Sequence, residues 1–163
     1  MNEPQPISHW ADGQSFIGSI YLLEDGKRYP VHPFKTHHDL SFGVDIHVDD
    51  GWLKVGGSAG PSLFLFRFHS RGENRLHFKV ALASNSRRKL GISDNGYLGL
   101  YDQTDELDYW KLQPVEWSKD ELRCLIRDHQ GHQVKIEHVT GQKMAHLAIG
   151  DGVPLEFLIV RSY

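Results

Sequence analysis

One pattern occurs three times along the chain: an alternating strand, a polar turn, a second strand and, after a variable loop, an apolar strand. The copies span residues 44–66, 89–110 and 134–158. Their turns are predicted at Asp49-Asp50-Gly51, Asp94-Asn95-Gly96 and Thr140-Gly141, because tight hairpin turns favour Asp, Asn and Gly. Three copies of one unit are expected to pack around a common centre. The repeat therefore predicts an architecture and leaves the ligand open.

The copies align apolar residues in columns. Leu53, Leu98 and Leu147 share one column, at separations of 45 and 49 residues. Because residues two apart on a strand share a face, each column is predicted to point to one interior. On the last strand of the copies, the predicted inward columns are Leu63 with Leu107 and Leu155, and Leu65 with Tyr109 and Phe157.

The whole chain has the pattern of short strands and turns, with no convincing helix. We count about thirteen strands, the number and spacing expected of an all-β barrel or sandwich. Three such units around an axis would close a barrel and remove most free sheet edges. The predicted fold class is therefore all-β.

This layout resembles the β-trefoil superfamily, whose three pseudo-symmetric four-strand repeats form a barrel capped by hairpins. The segment Asn95-Gly96-Tyr97-Leu98-Gly99-Leu100, with Trp110 downstream, is similar to fascin and ricin-type lectin repeats. The sequence pattern predicts an N-terminal arm over residues 1–14, and the resemblance implies a single trefoil domain over residues 15–163. The Gln-x-Trp triplet of ricin-type repeats is absent, so no binding residue is carried over from the family. A galectin-like sandwich or a lipocalin-like barrel is the alternative fold.

Composition indicates one soluble domain. The chain has 163 residues, 39% of them hydrophobic and 24% charged, and no apolar run approaches the roughly 20 residues of a spanning helix. The N-terminus lacks the basic start and apolar stretch of a secretory signal, which favours a cytoplasmic location, or secretion without a visible signal peptide. The single Cys124 lies in an apolar stretch and is expected to be a buried, inert thiol.

Aromatic residues next to polar turns suggest a carbohydrate site. Trp52, Tyr97 and His146 directly precede the aligned leucines, and an exposed ring can stack on a sugar while carboxylates and amides bind its hydroxyls. The alternative is that these rings pack across hairpins and that the acids serve only turn chemistry. The candidate ligand-binding residues are Asp49, Asp50, Trp52, Asp94, Asn95, Tyr97, Asp102 and Gln103.

Charge segregation suggests a second surface. Residues 67–89 carry seven basic side chains and one acid, whereas residues 102–121 carry seven acids and two lysines. Such a basic segment could bind a sulfated glycan, a phosphate or an acidic protein, or it could be a set of solvated strand faces. No nucleic-acid recognition motif accompanies it. The candidate anion-binding residues are Arg71, Arg75, Arg87, Arg88 and Lys89.

Neither metal binding nor catalysis is indicated. Eleven histidines occur, but none has the spacing of a known site with three or four converging ligands. No nucleophile elbow, zinc-protease motif or phosphate loop is present, so no catalytic residue, metal or cofactor is assigned. The sequence favours a noncatalytic, lectin-like carbohydrate-binding protein with a glycan or protein partner and no membrane partner. The alternatives are a protein-interaction or inhibitor module and a small β-barrel enzyme or carrier with a His-lined pocket.

Overall fold

The computed structural model describes residues 10–102, 108–138 and 144–162. These residues form strands and turns and no helix, which confirms the all-β prediction. None of them therefore belongs to a helix long and apolar enough to cross a membrane. The strands are β1 (Phe16–Glu24), β2 (Lys27–Asp39), β3 (Val44–Gly56), β4 (Leu63–Gly72), β5 (Arg75–Leu82), β6 (Asn85–Ile92), β7 (Leu98–Asp102), β8 (Trp110–Trp117), β9 (Glu121–Arg127), β10 (Gln133–His138), β11 (Met144–Gly150) and β12 (Glu156–Ser162).

Six strands close a ring by antiparallel pairing. β1 pairs with β4 and β12, β5 pairs with β4 and β8, and β9 pairs with β8 and β12. Every strand of the ring therefore has a neighbour on both sides, which leaves no open edge along these pairings. All six strands contribute buried side chains to the hydrophobic core.

The other six strands form three hairpins that contact one another. The hairpins are β2 with β3, β6 with β7, and β10 with β11. Backbone pairs of Trp52 with Gly99, Lys54 with His146 and Tyr97 with Ala148 join the three hairpins. The ring and the hairpins thus form one continuous packed unit.

The first column of the repeat is confirmed as core. Leu53, Leu98 and Leu147 are each at most 2% exposed. They reach the interior from β3, β7 and β11, one strand of each hairpin. The alternation of apolar residues on these strands thus predicted their burial correctly.

The prediction that Leu63 and Leu65 on β4 point to the interior is wrong. Leu63 is 46% exposed and Leu65 is half-buried, whereas Phe64 and Phe66 are fully buried. Every residue of β4 is apolar from Leu63 to Phe66, so alternation could not distinguish the two faces, and a shift of one residue exchanges them. Phe157 on β12 does point inward, as predicted.

The turn of the first hairpin lies earlier in the sequence than predicted. Its turn is formed by residues 40–43, where Asp39 Oδ1 accepts a hydrogen bond of 2.8 Å from the Ser41 N–H. The predicted turn at Asp49-Asp50-Gly51 is wrong, because these residues lie inside β3.

A bulge explains the turn-like sequence inside β3. Asp49 Oδ1 accepts the Gly51 N–H at 2.9 Å, and Gly51 has a φ of +82°, a conformation that glycine adopts without strain. The pairing with β2 shifts register here, because residues 50–53 of β3 stand opposite Pro33 alone. The turn predicted at Asp94-Asn95-Gly96 is confirmed, and the one at Thr140-Gly141 lies outside the described residues.

The end of the predicted N-terminal arm packs against the ring. The Trp10 ring contacts Phe16 and Trp117 at centroid distances of 4.7 and 5.7 Å, and its Nε1 donates to Ser118 O at 3.3 Å. Residues 1–9 of the arm lie outside the described residues. Cys124 is fully buried, and burial raises the pKa of its thiol, as expected of an inert cysteine.

Candidate functional site

The aromatic column of the repeat converges where the three hairpins meet. The Trp52 and Tyr97 rings lie 6.0 Å apart edge to face, and the Tyr97 and His146 rings lie 5.2 Å apart. Tyr101 packs edge-on against Trp52 at 6.4 Å. All these residues are half-buried. The structure therefore places the predicted rings in one packed cluster that stabilises the hairpin junction.

Glycine makes this junction possible. A side chain at Gly99 would have its Cβ 3.1 Å from Gly51 O and 3.4 Å from the Trp52 ring. The absence of that side chain lets the Trp52 ring lie against β7. The ring is thereby held by backbone geometry as well as by its aromatic neighbours.

The rim of the cluster carries polar groups. The Tyr97 hydroxyl donates to Glu137 Oε1 at 3.2 Å, and this bond raises the Tyr97 pKa. His146 has a buried Nδ1 without a hydrogen-bond partner in the described part of the chain. Burial and the nearby Lys54 charge lower the His146 pKa, so its ring is neutral at neutral pH.

A buried lysine lies beneath the bulge of β3. The Lys54 side chain is 2% exposed, and its Nζ donates to Trp52 O at 2.6 Å, to Pro33 O at 3.3 Å and to the Asp50 carboxylate. Burial lowers the Lys54 pKa, and the bond to Asp50 opposes that shift. Asp50, a predicted sugar ligand, thus holds a buried charge at the base of the first hairpin.

His32 is locked in one tautomer beside this lysine. Its Nδ1 accepts the Phe34 N–H at 3.1 Å, so its Nε2 carries the proton and donates to Gly56 O at 2.9 Å. The residue is fully buried, and burial lowers its pKa. Protonation of Nδ1 would place its N–H against the Phe34 N–H, and neither donor would then have an acceptor.

Acid is therefore expected to destabilise the fold before the carboxylates titrate. His32, His77 and His146 all have pKa values below 6.5 in the fold. Below pH 6.5 the unfolded chain binds protons that the folded chain does not, so the free energy of unfolding falls as pH decreases. Urea denaturation across this pH range measures the slope. We expect His32→Gln to flatten the slope, and the control His138→Gln, at an exposed position outside the first hairpin, to leave it unchanged; equal slopes in all three proteins would show that His32 does not cause the acid sensitivity.

An ion pair joins the first two hairpins. Arg88 on β6 binds Asp49 on β3 through two bonds, Nη1 to Oδ2 at 2.5 Å and Nη2 to Oδ1 at 2.9 Å. The Arg88 and Asp49 side chains are 22% and 29% exposed. The guanidinium lowers the Asp49 pKa, and the carboxylate raises the Arg88 pKa. Two residues that the sequence assigned to separate sites, a sugar site and an anion site, thus form one bidentate pair.

This pair lies in an open groove of about 580 Å³ between the first hairpin and the strands that follow it. Apolar side chains form much of its lining: the half-buried Phe34 ring, Leu63 and Leu82. None of these three residues is a site residue predicted from the sequence. The Leu63 side chain is 46% exposed because it borders this groove instead of the core.

The remaining predicted sugar ligands lie elsewhere. Asp94 and Asn95 are exposed in the turn between β6 and β7. Asp102 is exposed and pairs with Arg87 at 3.5 Å. Gln103 lies outside the described residues. The structure thus brings only Asp49 of the candidate acids into the groove.

The predicted anion-binding residues divide between two regions. Arg71 and Arg75 border a smaller pocket near the turn between β4 and β5, where Arg71 binds the Asp12 carboxylate and Arg75 donates to Asn74 O at 2.9 Å. Arg87, Arg88 and Lys89 lie on β6. The residues therefore do not form one basic patch.

No group of three or more His, Cys, Asp or Glu side chains is placed to hold a metal ion in residues 10–102, 108–138 and 144–162. The groove between the first two hairpins is the best candidate binding site, because it combines space, apolar walls and a fixed polar pair.

No protein-family model, curated protein or solved structure matches this chain. Its function is therefore inferred from the chemistry of its own residues.

Proposed function

We propose that the chain is a β-trefoil protein that binds carbohydrate without catalysis, through the groove between its first two hairpins. The six-strand ring, the three mutually contacting hairpins and the threefold sequence pattern support the trefoil assignment. In this proposal β1 to β4, β5 to β8 and β9 to β12 are the three four-strand repeats.

The observation that carries the proposed function is the bidentate Asp49–Arg88 pair beside the Phe34 ring. A sugar has an apolar C–H face and a rim of hydroxyls, so it needs a ring or aliphatic wall next to fixed donors and acceptors. The carboxylate offers acceptors and the guanidinium offers donors. The pair is already oriented by its own two bonds, so a ligand need not order it.

The same pair favours binding over hydrolysis. Glycoside hydrolysis needs two carboxyl groups, one of which stays protonated as the general acid. Asp49 is the one carboxylate among the described residues that line the groove, and Arg88 holds its pKa low. The described lining of the groove thus offers no second carboxyl group as a general acid, which supports binding without cleavage.

The test is a glycan panel screened with the wild-type chain and with groove variants. We expect Phe34→Ala to weaken binding of the best glycan by about tenfold or more, because it removes the stacking surface. We expect Asp49→Asn to weaken it too, because the amide loses one acceptor and its partner Arg88 becomes less ordered. The control Asp94→Asn changes an exposed turn acid outside the groove and should bind as wild type does.

Unfolding curves of each variant separate loss of binding from loss of structure. A panel without any ligand would overturn the proposal. So would a glycan whose affinity is unaffected by Phe34→Ala and Asp49→Asn and reduced by Asp94→Asn, since that result would place the site at the second hairpin turn.

A protein-interaction module is the second candidate function. It is favoured by the tip of the first hairpin, where Leu40 and Phe42 are 89% and 79% exposed. Large exposed apolar side chains of this kind mark interaction surfaces.

A further inference from the structure

The outer part of the first hairpin is a two-stranded ribbon. Residues 34–39 of β2 pair with residues 44–49 of β3. β2 meets β1 only through residues 27–30, and β3 meets β7 and β11 only through residues 52–56. Within the described residues, the ribbon thus extends beyond the sheet with both of its edges unpaired.

The two faces of the ribbon differ in what covers them. On one face, Ser58 Oγ donates to Asp45 Oδ2 at 2.8 Å and the Ser58 N–H donates to Thr36 Oγ1 at 3.2 Å, so the loop after β3 lies against it. Phe34 and Asp49, which pair directly, belong to this same face. This is the face that borders the groove.

The opposite face carries an exposed apolar row. Val44, Ile46 and Val48 are 52%, 40% and 52% exposed. Their direct partners across the ribbon are Asp39, His37 and Lys35, and directly opposite residues share a face. We call this set of six residues the apolar face. Three aliphatic side chains in a row on a solvent-facing ribbon are unusual for a surface without a partner.

The apolar face is complementary to itself when reversed. Val44, Ile46 and Val48 form the same row in either direction, and Lys35, His37 and Asp39 form a row that runs from positive to negative. A twofold axis can lie in the plane of the interface and cross both strands at the middle of the face. Rotation about this axis places Val44 on the Val48 position of the second copy and opposite charges together. Isologous dimer interfaces have this property, since one patch must match its own rotated copy.

We propose that the apolar face binds the apolar face of a second copy of this chain, face to face and with the strands reversed. Ile46 lies on the twofold axis and contacts the partner's Ile46. Lys35 lies opposite the partner's Asp39, and the valine row packs on the partner's valine row. The opposite charges set the orientation, and the aliphatic row supplies the buried apolar area.

This arrangement leaves the groove open. Because Phe34 and Asp49 lie on the other face of the ribbon, the dimer presents two grooves on its outer sides. Two linked sites can bind a repeated ligand with greater avidity than one. The dimer does not depend on the ligand, so the inference stands or fails separately from the proposed function.

Sedimentation equilibrium over a wide concentration range tests the dimer. The wild-type chain is expected to show a concentration-dependent dimer. Ile46→Asp places two carboxylates together on the axis and is expected to raise the dissociation constant by about tenfold or more. The matched control Val153→Asp changes a side chain that is 85% exposed outside the ribbon, and it should leave the dissociation constant unchanged.

A mixing experiment tests the orientation. Lys35→Glu alone sets two acids against each other in the homodimer, and Asp39→Lys alone sets two lysines against each other, so each variant is expected to dissociate more readily than wild type. Mixed in equal amounts, the two variants restore both opposite-charge contacts and are expected to form the heterodimer. Because Asp39 also bonds the turn at Ser41, circular dichroism of the Asp39→Lys chain checks its fold before mixing.

A third variant tests proximity at the axis. Ile46→Cys is expected to be linked to the partner's equivalent residue by a short bismaleimide, and the buried Cys124 does not compete. Val153→Cys is the control that should stay unlinked. A wild-type chain that remains monomeric at all concentrations would overturn the proposal. A dimer insensitive to Ile46→Asp, or variants that fail to pair on mixing while folded, would overturn it as well.

Discussion

Asp50→Ala is expected to lower the free energy of unfolding by about 3 kcal/mol, because it leaves the buried Lys54 ammonium without its counter-charge. Lys54 is 2% exposed and reaches two backbone carbonyls besides Asp50. Those carbonyls remain after the substitution, but neither carries a full negative charge. The expected loss lies at the low end for a buried pair because the Asp50 side chain is itself 30% exposed.

Urea denaturation of four variants measures this effect. Asp50→Asn should cost less than Asp50→Ala, because the amide oxygen can still accept the Trp52 N–H that Asp50 now accepts at 3.1 Å. The double variant Asp50→Ala with Lys54→Met should recover part of the loss, because no buried charge remains. Asp94→Ala is the control and should stay within about 0.5 kcal/mol of wild type. An Asp50→Ala chain as stable as this control would show that Lys54 needs no counter-charge.

Phe78→Ala is expected to cost about 3–5 kcal/mol, the range for removing a fully buried phenylalanine. Phe78 on β5 is fully buried, and its ring contacts Phe16, Phe66 and Phe68 at centroid distances of 5.4, 6.0 and 5.5 Å, each edge to face. These rings come from β1 and β4, the two strands that close the ring on that side. The substitution therefore opens a cavity where three strands of the ring meet.

Thermal and urea unfolding test this prediction. Phe78→Leu keeps most of the volume and should cost about 1.5 kcal/mol or less. The control Val115→Ala removes methyl groups from a side chain that is 46% exposed and should change stability by less than about 0.5 kcal/mol. If Phe78→Ala were as mild as Val115→Ala, the aromatic contacts would not hold β1, β4 and β5 together.

The sequence predicted the parts of the fold that depend on local patterning. Leu53, Leu98 and Leu147 are each followed by a polar or small residue and then by another apolar one, and their burial agrees with that pattern. The apolar run from Leu63 to Phe66 has no alternation, so the inward face could not be chosen, and the choice of Leu63 was wrong. The inward face of a strand segment that is apolar on both faces can be identified only when its neighbouring strands are known.

The predicted turn in the first hairpin shows how correct chemistry can predict the wrong element. Asp49 and Gly51 do form a turn-like bond, and Gly51 does take a positive φ. The same local geometry serves a bulge as well as a hairpin turn. β2 and β3 pair on both sides of Pro33, which shows that Asp49 and Gly51 belong to a bulge within the hairpin and not to its turn.

The candidate site depended on distant contacts that no pattern in the sequence carries. Asp49 and Arg88 were identified separately as a sugar ligand and an anion ligand, and their pairing across 39 positions follows from the packing of two hairpins. Phe34 and Leu82 were missed because neither stands out along its strand. The residue types of the site were partly visible in the sequence, and their assembly was not.

The most direct test of the proposed function is a residue-by-residue map of ligand contact. The chain labelled with nitrogen-15 is titrated with the best glycan from the panel, and amide chemical shifts are followed in solution. We expect the largest changes to cluster at Phe34, Asp49, Leu63, Leu82 and Arg88, which border the groove. Changes centred on the Asp94-Asn95 turn, or spread without a cluster at the groove, would rule out carbohydrate binding in the groove.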